Sequence, residues 1–279
     1  MAENKAAFSL VVVFTFAVVG GVLSLVFGNF IHFSANTGIS ATAPAHPPSP
    51  DAIVYNPPAP QDAPEDIRDA VLLGYNIMVD TQKYAAAYTG NKLRCVSCHF
   101  SGGITEGGRN GGLSLVGVGA VYPRYRFRQE YAADLVTRTN SCFERSMNGK
   151  AVPPDSREMA AILTYYQWIS KGLPVYGDIP WLGLRRLKQE EAPDKARGAV
   201  VYGDKCAACH GHSGEGTRTA PPLWGEESFN DGAGMSHMQT FAAFAHQNMP
   251  FKHPEMTEGQ ALDVAAFVTG QPRAHFTAR

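Results

Sequence analysis

The chain lacks an excess of charge of either sign: 24 Lys and Arg stand against 25 Asp and Glu, a net of −1 over 279 residues. No strongly basic surface follows from that balance, and no nucleic-acid partner is expected. Charged residues are sparse at 18%, while 44% of the chain is hydrophobic, which excludes disorder of the whole. With Gly 28 and Pro 19, a long helical bundle is disfavoured and a loop-rich body is expected. The length suits about two domains. Cysteine is scarce as well as odd in number: five residues, so a disulfide framework would leave one thiol over.

One absence is local. From Ala6 to Pro50 there is no Lys, Arg, Asp or Glu, and within that stretch Phe8 to Phe27 reads FSLVVVFTFAVVGGVLSLVF. That run is long enough to span a hydrocarbon core and exceeds the roughly 7–15 apolar residues of a signal peptide. The nearest small-x-small site, Ala41-Thr42-Ala43, lies well downstream. We therefore read residues 1–33 as a retained membrane anchor, with a helix over about 8–31, in preference to a cleaved leader. Lys5 ahead of it favours a cytoplasmic amino terminus and a body on the periplasmic side. Residues 34–65, rich in Pro and Ala, read as a semi-rigid linker.

What is present is an imperfect repeat. One unit runs over residues 66–180 and the other over 181–279. Each begins with an expected helix, Asp66–Tyr84 or Pro193–Tyr202, that leads into Cys-x-x-Cys-His. Each closes with another helix, whose start is marked by Asp155 three before Glu158, or by Thr257 three before Gln260. The motifs are Cys95-Val96-Ser97-Cys98-His99 and Cys206-Ala207-Ala208-Cys209-His210, the attachment signature of c-type haem. Paired thiols add to the haem vinyl groups, and the following His reaches the iron as proximal ligand. A zinc site would want further Cys or His pairs, and a thioredoxin-like redox pair does not require the His. The fold class expected is all-α: an N-terminal transmembrane helix and two class I cytochrome c-like domains, each holding one covalent haem c. His99 and His210 are then the proximal iron ligands.

The distal ligands decide whether an iron only passes electrons. In the second unit, Met249 precedes Pro250 between the motif and the closing helix and is expected to complete a His/Met site. Its rivals are Met256, Met235, Met238, His246 and His253. The first unit has no equivalent Met-Pro; it offers Met147, Met159 or the fifth cysteine, Cys142. A lone Cys is usually a small buried apolar residue. Flanking cations and hydroxyls, which favour a thiolate, argue for more here. A helix over 130–148 would put Arg138, Cys142 and Ser146 on one face, and would turn Met147 about 140° away from Cys142.

Three segments, Arg124 to Arg128 (RYRFR), Arg138 to Lys150 (RTNSCFERSMNGK) and Pro221 to Met235 (PPLWGEESFNDGAGM), resemble the periplasmic dihaem thiosulfate dehydrogenases. The likeness covers roughly residues 66–279. It implies oxidation of two thiosulfates to tetrathionate, or the reverse, at a His/Cys-ligated haem with electron exit through a His/Met haem. On that resemblance Cys142 is the distal ligand of the first haem, and Arg128, Arg138 and Ser146 bind substrate. Met249 ligates the second iron; Asn248 stands where some members carry a competing Lys. The electron acceptor would be a small cytochrome or a membrane oxidase complex. The alternative is a membrane-anchored dihaem electron carrier with two His/Met irons and no substrate of its own. A dihaem peroxidase would need an open iron, which no feature demands.

Overall fold

The computed structural model describes residues 53–108, 111–126 and 130–277. The expected anchor, most of the linker and Arg128 lie outside the described residues. Among those described, no helix is long and apolar enough to cross a membrane.

Six helices of seven residues or more follow in order among the described residues: α1 Glu65–Val79, α2 Leu135–Ser141, α3 Arg157–Ile169, α4 Lys195–Lys205, α5 Met238–Asn248 and α6 Glu258–Thr269. Single helical turns and long loops join them. The apolar stripes have helical spacing: α1 buries Val71, Gly74, Ile77 and Met78, and α3 buries Met159, Ile162, Tyr165, Tyr166 and Ile169. Within each half the opening helix packs on the closing one, α1 on α3 and α4 on α6, and α5 packs against α6.

A glycine sets the closeness of each crossing. A Cβ on Gly74 would lie 2.3 Å from the Ala161 carbonyl oxygen, and one on Gly198 would lie 2.0 Å from that of Asp263. Only hydrogen fits at either place. The second crossing is also tied by Arg197, whose Nε reaches Asp263 Oδ2 at 2.7 Å and whose Nη2 reaches Oδ1 at 2.9 Å.

The body is mostly helical, consistent with the all-α class expected, and carries one short hairpin in which β1 (Arg124–Arg126) pairs antiparallel with β2 (Tyr131–Ala133). Tyr125 and Tyr131 favour a half-exposed pleated surface over a helix. The helix expected over 130–148 accordingly starts only at Leu135, where Asp134 Oδ1 accepts from Thr137 N at 2.7 Å. At α3 the capping residue is Ser156, one place after the expected Asp155. Ser156 N donates to Pro153 O, and that turn brings Ser156 to the extended backbone where its Oγ accepts from Met159 N at 3.1 Å. At α6 the expected box is formed: Thr257 Oγ1 accepts from Gln260 N and Gln260 Oε1 from Thr257 N, both at 3.1 Å.

The end of the Pro/Ala-rich stretch is docked on the body. Tyr55 meets Trp181 edge to face at 5.1 Å, Ala63 is fully buried, and Trp168 Nε1 donates to Ala59 O at 2.9 Å. Ala59 has polyproline-like angles (φ −69°, ψ 144°), and its carbonyl accepts from Asp62 N at 3.1 Å as well as from Trp168.

The two crossings give a stability test. Gly74→Ala and Gly198→Ala each force backbone apart, an overpacking cost of about 1–3 kcal/mol or more. Thermal unfolding of the holoprotein should show a Tm several degrees lower for each; an unchanged Tm would show that the helices can separate freely at these points.

Candidate functional site

Each Cys-x-x-Cys-His segment follows the opening helix of its half as a tight turn. His99 N and His210 N donate to the carbonyls of Cys95 and Cys206, both at 2.9 Å. No cysteine is bridged to another. The imidazoles are held alike: His99 Nδ1 lies 2.8 Å from Leu113 O, and His210 Nδ1 lies 2.8 Å from Pro221 O. A carbonyl only accepts, so Nδ1 carries the proton in both rings and Nε2 keeps a bare lone pair. Burial pushes His99 down to about 4, with the nearby Arg138 adding to the effect and the Leu113 bond opposing it. His210 is lowered by burial too. Two neutral imidazoles with free Nε2 atoms are suited to an iron.

Each ring looks into a cavity. That of the second half, about 810 Å³, is walled by Cys206, Cys209, His210 and, among the methionines, Met249, Met235 and Met256. Its size falls within the roughly 300–1,000 Å³ typical of cofactor and ligand sites. The cavity of the first half is narrower, about 260 Å³, and has Cys95, Cys98 and His99 in its wall. Leu93, Arg94 and Cys98 face both cavities, so the two sites share a wall. Burial raises the Cys95 and Cys98 thiols to about 12, which keeps them neutral. A tautomer-fixed His, two free thiols and an apolar hollow at each motif fit a covalently bound haem.

The rivals for the second iron sort by position. Met249, Met235 and Met256 line its cavity, whereas Met238, His246 and His253 do not. His246 Nδ1 is bonded instead to Met256 O at 2.8 Å. Asn248 is a strut rather than a ligand: fully buried, it accepts from Gly112 N of the first half at 2.8 Å and donates to Phe244 O at 3.0 Å.

Around the first cavity the structure brings together most of the residues singled out. Arg138, Cys142 and Ser146 all line it, and Arg138 Nη1 donates to Cys142 Sγ at 2.8 Å. Arg138 is half-buried and holds its proton more tightly than an ordinary arginine, chiefly through attraction to Cys142. Met159 lies in the core away from this cavity. Met147, expected to point away, lines it. The reason is a change of helical pitch: α2 passes at Cys142–Ser146 into a π turn, with Met147 N donating to Cys142 O at 3.0 Å. That wider turn rotates each successive residue by less than an α-helix does, so Met147 stays on the cavity side.

Several residues were missed in the sequence. Arg124 and Tyr122 also line the first cavity. The basic-aromatic alternation from Arg124 to Arg128 is a strand signal, but such a local pattern does not place a strand beside a site. Asn91, Asn148 and Asn230, which join the two halves around the π turn, carry no local signal at all. Among the described residues, no three His, Cys, Asp or Glu side chains gather as a metal-ion cluster.

Comparison with known proteins gives the same two-part picture. Residues 81–175 match the SoxA/TsdA cytochrome c domain, and residues 193–268 match the cbb3-type cytochrome c oxidase subunit III. Thiosulfate dehydrogenase of Thiomonas intermedia is 38% identical over 256 residues, 86% of this chain and 80% of its own. The enzymes of Stutzerimonas stutzeri and Allochromatium vinosum are 35% and 34% identical, covering 78% and 83% of this chain and 73% and 89% of their own. Among solved structures, thiosulfate dehydrogenase (TsdBA) from Marichromatium purpuratum superimposes with a TM-score of 0.70 at 31% identity, over 77% of this chain and 48% of that one. With two attachment motifs, two cytochrome c domains and relatives of this similarity along most of its length, the chain belongs to the thiosulfate dehydrogenase family of cytochromes c and carries two covalently bound haems.

Proposed function

We propose that this protein oxidises two thiosulfates to tetrathionate at the Cys142 cavity, releasing two electrons that leave by way of the second cavity. The observation that carries the reading is the Arg138 guanidinium on Cys142 Sγ, 2.8 Å away, in the wall of the cavity that also holds His99. Cys95 and Cys98 would attach the first haem, and His99 and Cys142 would ligate its iron. Cys206 and Cys209 would attach the second, with His210 and Met249 on its iron. When bound, each haem supplies a one-electron iron couple whose potential depends on its axial ligands.

The protein's own part is electrostatic. Two unit charges of like sign 4 Å apart repel by about 4 kcal/mol at an effective dielectric of 20, and two dianions by four times as much. Sulfur–sulfur bond formation therefore needs fixed positive charge at the meeting point. Arg138 supplies it beside Cys142, and Arg124 adds to it from the cavity wall. Arg128, taken from the family resemblance, would be a third cation. Planar guanidinium groups hold oxyanions by charge-assisted, often bidentate hydrogen bonds, and Ser146 would donate one more. A Cys142 sulfur on the iron would give the first site a low potential.

The shared wall of Leu93, Arg94 and Cys98 supports electron passage between the sites. The likeness of residues 193–268 to an oxidase-subunit cytochrome supports a purely electron-exporting second half. We place the body on the periplasmic side of the inner membrane, held by residues 8–31, with a small cytochrome or a membrane oxidase complex as acceptor.

Three substitutions test the reading by thiosulfate-dependent ferricyanide reduction and redox titration. Cys142→Gly should keep both haems attached while turnover falls by orders of magnitude, because a contact with the reacting sulfur is lost. Turnover at the parent rate would leave an electron carrier as the better description. Arg138→Ala removes a charge-assisted contact worth roughly 1.5–3 kcal/mol and should weaken thiosulfate use by about 10- to 150-fold. Met249→Gly should lower the potential of the second haem and leave the spectrum of the first alone; an unmoved potential would point to Met235 or Met256.

A further inference from the structure

The π turn that presents Cys142 cannot satisfy its own carbonyls. Cys142 O is met from within, by Met147 N at 3.0 Å, and Phe143 O by Gly149 N at 2.9 Å. The next three carbonyls depend on other segments. Asn230 Nδ2 donates to Glu144 O at 3.0 Å, Asn230 N donates to Arg145 O at 3.0 Å, and Asn91 Nδ2 donates to Ser146 O at 2.9 Å. Both asparagines are buried.

Asn230 belongs to the second half, in the loop after Gly225, and its Oδ1 is held by Gly232 N at 3.1 Å. Asn91 stands just ahead of the first haem motif. Its Oδ1 accepts from Leu93 N at 3.0 Å, and its second amide proton goes to Ser228 O at 2.8 Å. One side chain thus joins the segment leading to Cys95, the turn carrying Cys142 and the loop of the other half.

A π turn is an α-helix with one residue inserted, and buried carbonyls must be paired. Without these donors the turn gains by reverting to α register. That reversion swings residues downstream of the insertion by about 100°, one residue's rotation, relative to those before it. Ser146 and Met147 would then change places with respect to Cys142 in the cavity wall.

We propose that Asn230 and Asn91 are positioning residues of the first site: by filling the carbonyls of Glu144, Arg145 and Ser146 they hold the π turn, so that the second half of the chain sets the geometry around Cys142. The inference rests on Cys142 being the distal ligand of the first haem, and the test separates the two ideas.

Asn230→Asp keeps the shape and the acceptor facing Gly232 N but replaces the donor at Glu144 O with an oxygen. Asn148→Asp is the control. Asn148 Nδ2 also bonds the second half, at Glu226 O and Ser228 O (3.0 and 2.9 Å), yet serves none of the turn's carbonyls. The measurement is low-temperature electron paramagnetic resonance of the oxidised full-length holoprotein, with steady-state thiosulfate oxidation alongside. The wild type should show a thiolate-ligated low-spin signal and a separate signal from the second haem. Asn230→Asp should split the thiolate signal or reduce it by half or more, leave the other signal unmoved, and lower kcat about ten- to a hundred-fold. Asn148→Asp should keep the wild-type thiolate signal. If Asn230→Asp does not accumulate as holoprotein, Asn91→Asp carries the same expectation. A wild-type thiolate signal in both the Asn230 and Asn91 variants overturns the proposal, and so does the same change in Asn148→Asp, which would mark mere loosening of the halves. A wild type with no thiolate signal overturns the ligation itself, and the proposal with it.

Discussion

Gly74 and Gly198 allow the opening and closing helices of each half to touch backbone to backbone, and the remaining architecture is arranged around those two crossings. Beside each crossing the loops wrap a hollow of their own. Each hollow is bounded by a Cys-x-x-Cys-His turn, whose imidazole is fixed through Nδ1 by a loop carbonyl. Domains with so few elements bury little surface alone, which is why a large covalently held cofactor suits them as core.

The same backbone logic has opposite outcomes at the two cavities. In the second half α5 ends regularly at Asn248, and the residue after it, Met249, enters the cavity. In the first half the helix widens before it ends. The π turn keeps Cys142, Ser146 and Met147 on one wall, with Arg138 one α turn earlier reaching the sulfur. Its cost is a set of carbonyls with no helical donor, and asparagines from two other segments offset it. The specialised site is therefore the one whose backbone leans on the rest of the molecule.

Charge follows the same division. Burial holds Cys95, Cys98 and His99 of the first attachment motif neutral. A half-buried positive charge near the first motif is Arg138, stabilised chiefly by Cys142, with Arg124 also in the cavity wall. The first hollow thus has cations and a sulfur in its wall, whereas the second has Met235, Met249 and Met256.

Some of this was legible in the residues themselves. The Cys-x-x-Cys-His motifs, the Thr257–Gln260 cap and the i,i+4 pairing of Arg138 with Cys142 are set by contacts within a few positions, so local spacing determined them. Met249 does line the second cavity, but so do Met235 and Met256, between which local spacing does not choose. The docking of Tyr55 and Ala59 was decided by neighbours far along the chain, Trp181 and Trp168. So was the π turn, because whether a helix accepts an inserted residue depends on donors for the carbonyls it frees. Those donors are Asn230, in the other half, and Asn91, some fifty residues upstream (Ser146 O is 55 positions from its donor). No local pattern marks an asparagine for such a role; only folding brings its amide to the carbonyl that needs it.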